Sequence, residues 1–139
     1  MIMRQSRVPD ALRRFIAERA GYRCEYCLVP QHSVLIPHQP DHIIALQHGG
    51  TTTSDNLALA CLHCNRRKGP NIASIDSISG QLTALFNPRT QNWHDHFFLE
   101  GVTILARSAV GRVTIQLLDL NATDRVELRA SLFVGGRYE

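Results

Sequence analysis

Four polar side chains in the first half of the chain are of the types that perform metal-assisted hydrolysis: Asp41, His42, Asn56 and Asn65. The carboxylate of Asp41 and the amide oxygen of Asn65 are hard ligands of the kind that Mg²⁺ and Mn²⁺ prefer. The neutral imidazole of His42 is a suitable base near neutral pH. These residue types can together hold one divalent cation and take a proton from water.

All four cysteines of the chain occur in two C-x-x-C pairs, Cys24 with Cys27 and Cys61 with Cys64. A single pair would also fit a redox dithiol, and disulfides are uncommon in a reducing compartment. Two pairs separated by residues 28–60 are typical of a zinc site in which each tight turn supplies two thiolates. The pattern therefore predicts a closed, structural Cys₄ zinc site, which stabilises a fold and leaves no open position for catalysis.

Basic residues are concentrated at two places, although the formal net charge of the whole chain is only +3. Arginines outnumber acidic residues in segment 1–23, and Arg66, Arg67 and Lys68 directly follow the second cysteine pair. The planar fork of arginine suits phosphate contacts, whereas the scattered C-terminal arginines fit an ordinary solvated surface. Basic clusters beside a metal site indicate a polyanionic substrate.

Length and composition are those of a folded protein with one main core. The chain has 139 residues, of which 44% are hydrophobic and 19% are charged. No apolar run approaches the roughly 20 residues that a membrane-spanning helix needs, and no apolar signal-peptide segment follows the N-terminus. We therefore expect a single domain over residues 1–139, a cytoplasmic location and no membrane partner.

Local patterns place the polar donors on a hairpin and a helix. An apolar stripe predicts a helix over residues 9–20, in front of the first cysteine pair. Short strands are predicted at 41–46 and 57–60, and a helix over 64–68 that ends at Gly69. This order describes a ββ-hairpin packed on a helix, with zinc replacing part of a hydrophobic core.

The second half of the chain has weaker signals. A turn is predicted at 77–80, and a hairpin over 97–105. Ser108 is expected to cap a helix that ends at Asn121, and a last helix is predicted over 123–133.

The positions of Asp41 and His42 raise a geometric condition. Adjacent residues of a strand point to opposite faces of the sheet. Both side chains can serve one site only at a bulge or at the end of a strand, and the preceding Pro40 favours such an irregularity.

Taken in order, these motifs resemble those of the HNH endonuclease family, the ββα-metal nucleases. The matching pattern is C-x-x-C, D-H-I, G-G, N-L and C-x-x-C-N-x-x-K-G, and it spans residues 22–69. The resemblance implies an α+β fold in which the Cys₄ zinc site staples a ββα-metal core. An N-terminal helix precedes this core, and residues 70–139 form a C-terminal extension with a hairpin plus helices. Because the third family position is Asn65, the chain is expected to be the H-N-N variant.

The resemblance also implies an activity: hydrolysis of DNA phosphodiester bonds with one Mg²⁺ or Mn²⁺ ion. His42 would activate the water, Asp41 and Asn65 would hold the catalytic metal, and Asn56 would brace its loop and orient the base. The nucleic-acid-binding residues would be Arg66, Arg67 and Lys68. The expected partner is double-stranded DNA, and double-strand cutting would require a homodimer.

Two other interpretations remain open from the residues. A non-catalytic zinc module that binds nucleic acid would keep the cysteines and arginines but would not require His42. A zinc-stapled protein-interaction domain would not require the basic run after the second cysteine pair. For His94 and His96, which flank Asp95, a structural or DNA-facing role is favoured over a second metal site.

Overall fold

The computed structural model describes residues 7–138 of the chain. In the first half it contains helix α1 (Asp10–Arg19), strands β1 (Gln39–His42) and β2 (Leu57–Ala60), and helix α2 (Leu62–Lys68). The second half contains β3 (Ala73–Ile75), β4 (Leu82–Ala84), α3 (Trp93–His96), β5 (Phe97–Glu100), β6 (Thr103–Ala106), α4 (Ala109–Leu118) and α5 (Thr123–Val134). The strands form three two-stranded antiparallel sheets, β1–β2, β3–β4 and β5–β6, so the predicted α+β class is confirmed.

The predicted hairpin and helix are present in the predicted order. In the β1–β2 sheet, Asp41 lies opposite Ala58 and His42 lies opposite Leu57. Strand β1 ends at His42, although the sequence predicted that it would continue to residue 46. The strand stops there because the backbone N–H of Ile44 bonds to a side chain. It donates to the side-chain oxygen of Asn56 at 3.0 Å.

Helix α2 ends at Lys68 as the sequence predicted, and α1 ends at Arg19, one residue before its predicted end. Helix α1 lies against β1 and β2, and its Ile16 is fully buried in a cluster with Leu57 and Leu59. Helix α2 begins two residues earlier than predicted because the Cys61 sulfur accepts a hydrogen bond from the N–H of Cys64 and caps it. Gly69, at φ +50°, ends α2.

The first cysteine pair and the C-terminal extension share one hydrophobic core. Tyr26 packs edge-on against Phe86, which packs in the same way against Phe97. Two hydrogen bonds reinforce this packing: the Trp93 indole N–H donates to the Tyr26 carbonyl at 2.9 Å, and the Tyr138 hydroxyl donates to the Cys27 carbonyl at 2.8 Å. The extension therefore packs directly on the cysteine-rich half.

The extension departs from the sequence predictions in two places. The β3–β4 hairpin was not predicted, because each strand has three residues and only the turn between them had a signal. Helix α4 ends at Leu118 rather than at Asn121. The Asn121 side chain instead bonds to both backbone groups of Ile104, at 2.9 and 2.8 Å. Among the helices of residues 7–138, none combines the length and apolarity that crossing a bilayer requires.

Candidate active site

The four cysteines come together in one buried cluster, which is a candidate zinc site. Their sulfur atoms all lie within 4.8 Å of one another, and the Cys27 and Cys61 sulfurs are 3.7 Å apart. A disulfide would need about 2.05 Å. Four Zn–S bonds of about 2.3 Å in a tetrahedron place the sulfurs about 3.8 Å apart, so the cluster fits a zinc ion.

Hydrogen-bond donors of the described residues point at the sulfurs, and three of them lie within 3.5 Å. The backbone N–H of Cys27 donates to the Cys24 sulfur at 3.5 Å, and that of Cys64 donates to the Cys61 sulfur at 3.4 Å. The third donor is Arg125 of α5, whose guanidinium Nη2 lies 3.5 Å from the Cys61 sulfur. Sequence reasoning missed Arg125 because it lies far along the chain and outside every motif.

A surface cleft of about 280 Å³ brings together Asp41, His42 and Asn65. The cleft is bounded by the end of β1, the turn that follows it and the C-terminal end of α2, with Pro40 and Pro70 at its edges. His42 is the last residue of β1, which is the strand-end position that allows its side chain and that of Asp41 to reach one site. Three of the four polar side chains predicted for the site therefore line one cavity.

Asp41 is held from below the cleft by two side chains. The carboxylate is 5% exposed, the Tyr26 hydroxyl donates to its Oδ2 at 3.0 Å, and the Lys68 ammonium lies 3.1 Å from the same oxygen. Burial raises the pKa of the Asp41 carboxyl, although Lys68 and Tyr26 favour its charged form. Tyr26 had been part of no sequence prediction.

Lys68 is in a different place from the one that the sequence predicted. Its side chain is 1% exposed, and besides Asp41 its ammonium donates to the carbonyls of His42 and Ile43 at 2.9 and 3.1 Å. A buried ammonium with these three partners has no donor directed at solvent or at DNA. The expected phosphate contact of Lys68 is therefore corrected to an internal contact that holds Asp41 and the end of β1.

His42 lies at the edge of the cleft, half-buried, with its Nε2 hydrogen-bonded to the Thr52 hydroxyl at 2.9 Å. Burial lowers the pKa of the imidazole, and so does the nearby Lys68 charge, while Asp41 acts in the opposite direction. The net lowering keeps the ring neutral near neutral pH. No motif had indicated Thr52, which lies in a run of threonines.

Asn56 spans the loop between β1 and β2. Its oxygen accepts from the Ile44 N–H, and its amide group donates to the carbonyls of Ile44 and Thr51 at 2.9 and 2.8 Å. Gly50 lies against the same turn so closely that a Cβ atom there would be 1.7 Å from the Ile44 oxygen. Asn56 therefore lies behind the cleft, where it fixes the backbone that follows His42.

Asn65 differs from Asn56 because its side chain is not hydrogen-bonded to other described residues. It is half-buried on α2, directly after Cys64, and it lines the cleft. Within residues 7–138 its side chain forms no hydrogen bond. Its carboxamide oxygen is thus available to a ligand in the cleft.

Arg66 and Arg67 are exposed on another side of α2. They line a larger groove of about 530 Å³, together with Arg125, and do not border the cleft that contains His42. Arg67 also forms an exposed ion pair with Asp119 at 3.4 Å. The basic run is therefore divided, with two arginines on the surface and Lys68 inside.

In the part of the chain that the structure describes, His94 and His96 belong to no group of three or more metal-binding side chains. The cysteines are the one group of three or more metal-binding side chains found among the residues that the structure describes. The Nδ1 of His96 is hydrogen-bonded to the Ser108 hydroxyl at 2.6 Å, which agrees with a structural role for His96.

Comparison with known families gives one match. The family model described as HNH endonuclease matches residues 24–71, which include both cysteine pairs and all four polar donors. The resemblance predicted from the motifs is therefore confirmed over this segment, and an HNH domain indicates a nuclease or a protein that binds nucleic acid. No curated protein and no solved structure matches the chain.

Proposed function

We propose that the protein is a metal-dependent HNH endonuclease that hydrolyses phosphodiester bonds of DNA. One observation carries the proposal: Asp41, His42 and Asn65 line a single cleft within the segment that matches the HNH endonuclease family. A carboxylate, an imidazole and an unoccupied carboxamide supply the ligands and the base that this hydrolysis needs.

His42 acts as the general base in this proposal. If Nε2 carries the proton and donates to the Thr52 hydroxyl, the lone pair of Nδ1 is left to accept a proton from water. The lowered pKa of His42 keeps the ring neutral, and only a neutral ring can accept that proton. Thr52 thereby selects the tautomer and orients the ring.

Asp41 and Asn65 would hold the catalytic Mg²⁺ or Mn²⁺. Their oxygens suit a hard cation, and the free carboxamide of Asn65 together with a carboxylate at the cleft wall fits such a group. When bound, the cation would polarise a phosphate oxygen and stabilise the leaving oxygen. Lys68 and Tyr26 orient the Asp41 carboxylate, and Asn56 holds the loop behind His42.

The remaining parts of the proposal concern the substrate and its setting. Arg66 and Arg67 would contact phosphates of double-stranded DNA beyond the cleft, and cleavage would leave 5′-phosphate and 3′-hydroxyl ends. We propose that residues 1–139 act as one domain, with 70–139 packed on the zinc-stapled core 22–69. A homodimer would be required to cut both strands together. A cytoplasmic setting would keep the four thiols reduced and able to bind zinc.

A second candidate function is a non-catalytic zinc module that binds nucleic acid. The ion pair between Lys68 and Asp41 favours it, because a carboxylate that is already neutralised by an ammonium attracts a divalent cation less strongly. In that case the basic surface would be retained, but the cleft would have no chemical role.

Conversion of supercoiled plasmid to nicked or linear forms, in Mg²⁺, Mn²⁺ or EDTA, tests the proposal. A parallel binding assay uses the same DNA at low salt. We expect cutting in Mg²⁺ or Mn²⁺ and none in EDTA. Binding without cutting by folded, zinc-loaded protein would support the non-catalytic module instead.

A further inference from the structure

The thiolates of the zinc site carry charge that the surrounding protein must offset. Four thiolates around one Zn²⁺ leave a net charge of about −2. All four cysteines are buried, at 0–1% exposure, so water cannot solvate this charge directly. A buried charge without hydrogen bonds or a counter-charge is strongly destabilising. The donors that reach the sulfurs are therefore part of the zinc site.

Arg125 is the cationic member of this donor set. The backbone N–H groups of Cys27 and Cys64, one within each cysteine pair, are neutral donors. Among residues 7–138, Arg125 is the charged side chain that donates a hydrogen bond to a cysteine sulfur. Its Nη2 contacts the sulfur of Cys61. Hydrogen bonds to an ionised partner are roughly twice as strong as neutral ones.

A second observation is that the described residues supply no carboxylate partner for Arg125. Its Nε is buried without a hydrogen-bond partner, and no ion pair joins its guanidinium to a carboxylate within the described part of the chain. Burying an unpaired N–H is unfavourable. The hydrogen bond that the other end of the guanidinium donates to the Cys61 sulfur offsets this cost.

We propose that Arg125 is a positioning residue of the zinc site: its guanidinium donates to the Cys61 thiolate, offsets part of the negative charge of the cluster, and so slows the loss of zinc. The extension, through α5, thus takes part in holding a metal whose four ligands all belong to the HNH segment.

Retention of zinc by Arg125 also has a consequence for the cleft. Cys61 caps α2, and Asn65 lies on that helix directly after the fourth cysteine. A cluster that holds its zinc keeps the first turn of α2 in place, and with it the carboxamide of Asn65 at the cleft. The contact between Arg125 and Cys61 therefore connects α5 to the candidate active site through the metal site.

The test is the rate at which folded protein loses zinc to an excess of a chromogenic chelator. Four proteins are compared: the wild type, Arg125→Met, Arg125→Lys and the control Arg14→Met. Methionine keeps much of the apolar stem but removes the donor and the charge, and Arg14 is an exposed arginine of α1. Loss of an outer-sphere partner typically costs about tenfold to a hundredfold in metal affinity.

We expect Arg125→Met to lose zinc about tenfold faster than the wild type or more, with Arg125→Lys intermediate and Arg14→Met unchanged. Release by folded Arg125→Met within twofold of the wild-type rate would overturn the proposal. If Arg125→Met does not fold, Arg125→Ala decides by the same criterion, because it also removes both the N–H donor and the charge. Zinc release needs no DNA, so its outcome is independent of nuclease activity.

Discussion

The ammonium of Lys68 lies 3.1 Å from the carboxylate of Asp41, and neither side chain is more than 5% exposed. Asp41 is the penultimate residue of β1 and Lys68 is the last residue of α2, so the ion pair joins two of the elements that border the cleft. The same ammonium binds the carbonyls of His42 and Ile43. One buried lysine thus positions the ligand candidate and the backbone of the base.

Removal of this ammonium should destabilise the protein strongly. In Lys68→Met the Asp41 carboxylate loses its counter-charge and the carbonyls of His42 and Ile43 lose a donor. Breaking a buried ion pair in this way costs about 3–5 kcal/mol. Urea unfolding of zinc-loaded protein measures the change. The control is Arg67→Met, which removes an exposed ion pair worth about 1 kcal/mol or less. Equal stability of the two variants would show that Lys68 does not hold the cleft together.

The hydroxyl of Thr52 should matter for catalysis rather than for folding. Thr52→Val keeps the shape of the side chain but removes the hydrogen bond to His42 Nε2. We expect kcat to fall by about tenfold, which is less than the factor of about 10²–10⁴ that a general base contributes, with little change in KM. Steady-state cleavage of a duplex measures both constants. Thr53→Val is the matched control, because the Thr53 hydroxyl contacts Thr51 and Asp55 instead. Equal kcat values in the two variants would remove Thr52 from the mechanism.

Substitution by alanine should destabilise the protein more at Gly50 than at the adjacent Gly49. A Cβ at residue 50 would overlap the Ile44 carbonyl, so Gly50→Ala must open the turn and break the three hydrogen bonds of Asn56. At about 1 kcal/mol for each bond, the expected loss is about 3 kcal/mol. Gly49→Ala meets no atom and is strained only by its φ of +88°, at about 1–2 kcal/mol. Thermal unfolding compares the two variants, and a larger loss in Gly49→Ala would contradict this account.

Acid should weaken the contact between the β3–β4 hairpin and α4. The guanidinium of Arg112 donates two hydrogen bonds to the Asp76 carboxylate, at 2.8 and 3.0 Å. Together with the Ser79 N–H, it holds the pKa of that carboxyl well below its usual range. A folded pKa below the unfolded value of about 3.9 stabilises the protein above that pH, and the stabilisation is lost as the pH falls further. The difference in unfolding free energy between wild type and Asp76→Asn should therefore be constant above about pH 5 and narrow below about pH 4.

Measurement of both proteins at each pH removes the effect of thiolate protonation, which is common to the two. A difference that stays the same down to pH 2 would mean that Asp76 is not held in its ionised form by Arg112.

Local patterns predicted the part of the site that is local in sequence. The cysteine pairs, β2, the two helices beside them and the donors of the cleft all follow from short motifs. The end of β1 could not be predicted, because Ile43 and Ile44 continue an apolar, β-branched pattern and the strand is interrupted by the side chain of Asn56. The position of the strand end beside the cleft therefore depends on the hydrogen bond between Asn56 and Ile44, which are 12 residues apart.

Contacts between distant residues were beyond the sequence for the same reason. Lys68 and Asp41 are 27 residues apart, and Arg125 and Cys61 are 64 residues apart. Nothing in a run of basic residues shows that its last member is buried, and nothing in α5 shows that one arginine reaches a metal site. Charge alone predicted a DNA-facing Lys68, whereas desolvation and a buried partner determine where it lies.

The most direct test of the central claim compares the rates at which His42→Ala and His32→Ala cleave supercoiled plasmid in Mg²⁺ or Mn²⁺. His32 is an exposed histidine outside the cleft, so both variants lose an imidazole but only one loses the proposed base. The account predicts that His32→Ala cuts like the wild type, whereas His42→Ala binds the plasmid and cuts it at least about a hundredfold more slowly. Equal cutting by the two folded, zinc-loaded variants would show that the cleft of Asp41, His42 and Asn65 is not the catalytic site.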